Sequence, residues 1–132
     1  MKKLWLSIIM TVFAFGITPA LSDEAWQTYE CRMDSEGDAT EDDVIAAAEK
    51  WLAAARKVPG GEKLELRVLI PHAAASAHTD FLYVLWAPSF ESWGKFWDNY
   101  EGTEAHKIDE ETDEITDCPS SRLFESVRIN AK

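Results

Sequence analysis

The run Phe81-Leu-Tyr-Val-Leu-Trp86 is apolar on both of its alternating sets of positions. Side chains along a strand point to opposite faces in turn, so such a strand sits inside a sheet whose two faces both need cover. Its neighbours narrow the choice further. Leu64, Leu66, Val68 and Ile70 alternate with Glu65, Arg67 and Leu69, the period-two pattern of a strand that stops at Pro71. Ala25 to Met33, with Trp26, Tyr29 and Cys31 among polar residues, reads as a first strand. Arg122 to Ile129 reads as a last one, with Leu123, Val127 and Ile129 on one side and Phe124 on the other.

Two helical segments separate these strands. Thr40 and Asp43 have the spacing of a helix-opening pair, and from Glu41 to Lys57 the residues Val44, Ala48, Trp51, Leu52 and Ala55 recur at helical spacing until Pro59-Gly60-Gly61. Ser89 is placed to cap a second helix bearing Phe90, Trp93, Trp97 and Tyr100, and Ala105, Ile108, Thr112 and Ile115 extend a helical face past Gly102. The order β-α-β-β-α-β predicts an α+β, ferredoxin-like fold: an antiparallel sheet with helices on one face and the first and last strands side by side. Helices on one face leave the other bare. The two-sided Phe81–Trp86 strand therefore calls for the sheet of a second subunit, a homodimer.

The N-terminus is read separately. Lys2 and Lys3 precede an apolar stretch from Leu4 to Ile17, and Ala20-Leu21-Ser22 forms a small-x-small site before Asp23. This is the pattern of a secretory signal peptide over residues 1–22, and the apolar stretch is short of the roughly 20 residues that a membrane span needs. A periplasmic or secreted mature domain over residues 23–132 is expected, with no membrane span once the leader is gone. Of 13 basic and 24 acidic residues the leader holds two basic and no acidic ones, so the mature charge is −13. A surface this acidic repels nucleic acid and anionic membranes.

The chain has two cysteines, Cys31 and Cys118. An even count in a small exported domain predicts a disulfide, and the spacing is not that of a C-x-x-C redox pair. The fold supports the same link, because Cys31 lies near the end of the first strand and Cys118 just before the last.

The segment from Ser89 to His106, which follows a strand ending in Trp86, resembles the third strand and second helix of dimeric α/β-barrel proteins. More narrowly, it is similar to the antibiotic-biosynthesis monooxygenase group and its haem-degrading members. The resemblance implies a ferredoxin-like protomer, sheet-to-sheet pairing and an enclosed small apolar or aromatic ligand. Glu104-Ala105-His106 matches the ending that supplies the iron-binding histidine in the haem-degrading members, with Phe96 at their aromatic position and Trp97 after it. Their asparagine near the end of the first strand has no counterpart in Tyr29-Glu30-Cys31-Arg32.

The candidate residues follow from this. His106 is the candidate ligand or base, since an imidazole binds iron or moves a proton near neutral pH; the plain alternative is a surface histidine on an acidic helix. Haem is the cofactor it would hold. Trp86, Trp93, Phe96, Trp97 and Tyr100 are either packing or the lining of an apolar pocket. His72, His78 and Asp80 are candidate ligands for a divalent metal, against the reading of loop residues in solvent. The acids Asp109 to Glu114 lack the spacing of a calcium loop and read as a solvated helix. Without a phosphate-binding glycine loop or a G-x-S-x-G motif, nucleotide use and acyl transfer have no support.

Overall fold

The computed structural model describes residues 21–34, 37–73, 79–127 and 129. His78 and the expected leader, apart from Leu21 and Ser22, lie outside them. The elements run β1 (Leu21–Met33), α1 (Glu41–Ala55), β2 (Glu65–Leu69), β3 (Phe81–Ala87), α2 (Phe90–Asp98), α3 (Glu104–Thr112) and β4 (Thr116–Val127). The strands form one sheet in the order β2-β3-β1-β4, with every neighbouring pair antiparallel. This is the expected ferredoxin-like α+β arrangement, with the first and last strands paired.

Local chemistry sets the ends of α1. The Thr40 hydroxyl accepts from the Asp43 backbone N–H while the Asp43 carboxylate accepts from the Thr40 N–H at 2.8 Å. This reciprocal cap satisfies donors that the first turn leaves free, and Glu41, Asp42 and Asp43 lie at the positive end of the helix dipole. After α1 the chain turns through Gly60 at φ +93°, where an added Cβ would sit 2.5 Å from the Phe96 backbone nitrogen. Only glycine lets this turn approach α2 so closely.

The second helical segment is two helices rather than a continuous face. Ser89 caps α2, accepting from the Ser92 N–H at 3.0 Å, and Gly102 at φ +75° reverses the chain before Thr103 caps α3. Helix α3 ends at Thr112. Ile115, expected on the same face, lies in the next turn, where its carbonyl accepts from the Asp34 N–H at 3.0 Å.

Strand β4 starts at Thr116, well before the Arg122 that alternation indicates, and ends at Val127, so Ile129 is outside it. Pro119 hides the early part, because proline cannot donate to a ladder; an edge strand with a bulge tolerates it. The bulge is present: Glu30 pairs with Ser120 but Arg32 with Asp117. Cys31 and Cys118 are joined there across 87 positions, with their Cα atoms 4.0 Å apart.

The register sorts side chains by face. Ala25, Cys31, Phe81, Leu85 and Ala87 face the helices and are buried. The core has two parts: one around Leu64, Leu85, Phe96 and Ile108, the other around Cys31, Val44 and Phe81.

Candidate functional site

Between the two parts of the core is a cavity of about 240 Å³. The sheet supplies Tyr29 and Tyr83, which are register partners on β1 and β3, together with Leu66, Leu85, Thr116 and Cys118. Helix α1 contributes Ala47, Ala48 and Trp51, α2 contributes Trp97, and α3 with its C-cap residue contributes Asp109, Thr112 and Asp113. The two alanines are the cause of the space: a methyl group faces the tyrosines where a larger side chain on α1 would fill the gap.

The polar groups on and directly behind its wall fall into two sets. In the first, Trp51 Nε1 donates to the Tyr100 hydroxyl at 2.9 Å, and that hydroxyl has the Ala105 carbonyl at 3.3 Å and the Asp109 carboxylate as acceptors. In the second, the Tyr83 hydroxyl and Trp97 Nε1 are buried without a partner among the described residues, as is Trp26 Nε1 on the opposite face of the sheet. A buried donor left unpaired costs about 1–3 kcal/mol, so an acceptor placed beside either group would be stabilising.

Electrostatics keep the phenols protonated. Burial pushes the Tyr83 hydroxyl up to about 12, and the Asp109 charge pushes the same way. Burial, then Asp109, also raises Tyr29 beyond the ordinary phenol range, and burial raises Tyr100 likewise. Asp109 is exposed as a residue, yet partial desolvation of its carboxyl beside the cavity holds it above the usual carboxylate range. The Tyr100 hydrogen bond and His106 oppose that rise, while Asp113 and Glu110 add to it.

The aromatic residues singled out in the sequence do not share one lining. Trp97 lines the cavity. Phe96 is fully buried and Tyr100 nearly so, both within the core, and Trp93 Nε1 donates to Gln27 Oε1 at 2.9 Å. Trp86 lies on the other face of the sheet, with its ring edge-on to Trp26 at 6.5 Å. Sequence periodicity missed Tyr29, Trp51, Tyr83, Asp109 and Asp113. The available signal was the matched parity of the two strand tyrosines; the acids were masked by the charged run around them.

His106 serves its own helix end. Its Nδ1 accepts from the Gly102 N–H at 3.1 Å, its Nε2 is 3.9 Å from Glu110 Oε1, and its ring packs on Tyr100 with centroids 5.5 Å apart. It does not line the cavity. Haem does not fit this arrangement: the histidine points its free nitrogen at Glu110 outside the cavity, and the volume is below the roughly 300 Å³ at which pockets for drug-sized ligands begin. His72 is exposed. The Asp80 carboxylate accepts from the Met33 N–H at 2.9 Å, and its own N–H donates to the Cys31 carbonyl at 2.9 Å, so it ties β3 to β1. Among the described residues no three His, Cys, Asp or Glu side chains are grouped as metal ligands.

The face without helices carries Trp26, Leu82, Val84, Trp86 and Phe124 by register. Ion pairs border it, Arg122 with Glu30 at 3.3 Å and Arg67 with Glu65 at 3.9 Å, and the Arg67 guanidinium lies 6.0 Å from the Trp26 ring centre. Phe124 is 45% exposed and Leu69 48%.

No protein-family model matches the chain, and no curated protein matches it in sequence. Solved structures do match in fold. SnoaB, a cofactor-independent oxygenase from Streptomyces nogalater, superposes with a TM-score of 0.56 at 7% identity, over 83% of this chain and 99% of the oxygenase. A mutant form of the same oxygenase gives 0.58 with the same identity and coverage. A dimeric protein of ferredoxin-like fold from Bacteroides fragilis gives 0.50 at 8% identity, over 80% of this chain and 99% of its own. The chain thus has the ferredoxin-like fold that a cofactor-independent oxygenase and a dimeric protein share with it.

Proposed function

We propose that this chain is an exported, periplasmic or secreted, homodimeric α/β-barrel domain that binds a small aromatic ligand in the cavity between its sheet and its helices. One observation carries the reading: a wall of aromatic and aliphatic side chains, interrupted by Asp109, Thr112, Asp113 and Thr116, holds two buried donors, Tyr83 OH and Trp97 Nε1, with no partner among the described residues. Apolar pockets with a few convergent polar groups are the common form of a small-molecule site. Export is supported by the leader pattern of residues 1–22 and by the Cys31–Cys118 link. A second copy is the occupant of the bare sheet face. Its apolar centre bordered by paired charges of both signs is self-complementary under a two-fold axis, and a fold neighbour is dimeric.

The test is calorimetric titration of the mature protein with 4-ethylphenol, alongside Ala47→Phe, which fills the cavity from α1. Binding to the native protein and its loss in a folded Ala47→Phe variant are expected. No binding to the native protein, or equal binding to both, overturns the reading.

A second reading is favoured by the Asp109 carboxyl, whose raised proton affinity beside the cavity suits proton abstraction from a bound substrate. In that reading the domain is a cofactor-independent, monooxygenase-like enzyme, with Asp109 rather than His106 as the base. Oxygen consumption with a phenol substrate that is abolished in Asp109→Asn supports it; consumption unchanged by that substitution counts against it.

A further inference from the structure

Two carboxylates line the cavity, and the described residues that oppose their charge, the Tyr100 hydroxyl and His106, stand outside its lining. Asp109, in the last turn of α3, and Asp113, its C-cap residue, are four positions apart and both line the cavity. They are also at the C-terminal end of that helix, where the macrodipole is negative, and the last turn of α3 has no basic residue. Among the described residues, no Lys, Arg or His lines the cavity. Like charges at this spacing on a helix end repel each other and the dipole, so the fold bears a cost at the rim that a cation there would remove.

The same lining also holds donors. Tyr83 OH and Trp97 Nε1 offer protons that no acceptor among the described residues takes. The space between is bounded by Tyr29, Trp51, Tyr83 and Trp97. Aromatic faces attract cations as well as rings.

We infer that the natural ligand is an aromatic amine bearing a ring oxygen, its ammonium group at the rim between Asp109 and Asp113 and its oxygen accepting from Trp97 Nε1 or Tyr83 OH. This rests on the aromatic-ligand reading above and specifies its chemistry. A neutral aromatic would leave the rim uncompensated. An aromatic carboxylate would place a third anion beside two.

The experiment uses four probes of similar shape with the mature protein: tyramine, 4-ethylphenol, phenethylamine and 3-(4-hydroxyphenyl)propionate. Tyramine is expected to bind at least about tenfold more tightly than 4-ethylphenol, a factor set by one charge-assisted contact. Phenethylamine, without the oxygen, should bind more weakly than tyramine, and the propionate should not bind measurably. Asp109→Asn and the exposed Asp113→Asn should each narrow the tyramine preference, and the double variant should abolish it while 4-ethylphenol binding persists. Equal affinities for tyramine and 4-ethylphenol, or a preference for the propionate, overturn the amine assignment and leave the aromatic site standing. Failure of all four probes overturns both.

Discussion

Breaking the Cys31–Cys118 link should cost this domain a large part of its stability. The bond closes a loop of 87 positions that contains α1, β2, β3, α2 and α3. In the chain-entropy treatment, closure of a loop that long removes about 15 cal/mol/K from the unfolded chain, or about 4.6 kcal/mol at 25 °C. A domain of this size has a total stability of about 5–15 kcal/mol, so the variant would be folded but marginal. The suitable perturbation is Cys31→Ala with Cys118→Ala, because Cys31 is fully buried and a serine there would add an unpaired hydroxyl. With a urea dependence of about 1.5 kcal/mol per molar, the loss moves the unfolding midpoint down by about 3 M. Circular dichroism followed through a urea titration reads this directly, with the native protein under reducing conditions as a second form of the same perturbation. A midpoint within about 0.5 M of the oxidised protein in both would refute the reasoning, since the unfolded chain would then not be restrained by the link.

Three further outcomes are expected. Gly60→Ala places a Cβ 2.5 Å from the Phe96 nitrogen and 2.6 Å from the Ser92 carbonyl oxygen at a positive φ, and should lower stability by about 2–5 kcal/mol in the same urea assay. Asp109→Asn should stabilise the protein at pH 7. A carboxyl whose folded pKa is raised supports the fold while protonated and loses that support as pH rises through the folded value, so the gain should fade below the ordinary carboxylate range. Screening at the rim keeps the gain below ~1 kcal/mol, read from melting curves at several pH values. Trp86→Ala with Phe124→Asp removes apolar surface from the bare sheet face and puts a charge there; sedimentation velocity should show dimer becoming monomer, and a native protein that is monomeric at micromolar concentration would contradict the second-copy assignment.

The strand order was legible because each strand carries its own period. Leu66 and Val68 are turned toward the helices and Glu65 and Arg67 away, as alternation requires, and β3 is apolar on both faces, with Phe81, Leu85 and Ala87 under the helices and Leu82, Val84 and Trp86 on the face without them. Helix α1 was legible from its cap and its breaker. The start of β4 was not, because Pro119 and the bulge beside the disulfide interrupt the two-residue period. The break between α2 and α3 depends on Gly102 adopting a positive φ, which a helical spacing that resumes at Ala105 does not reveal.

The site was legible only in part. A dense aromatic stretch marks α2, which borders the cavity through Trp97, yet periodicity cannot separate Trp97 from Phe96, which fills the core one residue earlier. Trp86 was grouped with them by nearness in sequence, but strand parity sends it to the other face. His106 drew attention by its chemistry, and a backbone N–H at Gly102 accounts for its inner nitrogen. Asp109 was passed over because its neighbours Glu110 and Glu111 are solvated acids of the same run; the fold alone brings it beside Tyr100.

The most direct test of the cavity as the ligand site is a ¹⁵N-edited NMR titration of the mature protein with 4-ethylphenol, observing the indole N–H resonances. The account predicts that Trp97 and Trp51, on the helix side of the sheet, shift with ligand concentration while Trp26 and Trp86, on the opposite face, do not. Shifts confined to Trp26 and Trp86 would move the site to the bare face of the sheet, and no shift in any indole would contradict the cavity's role altogether.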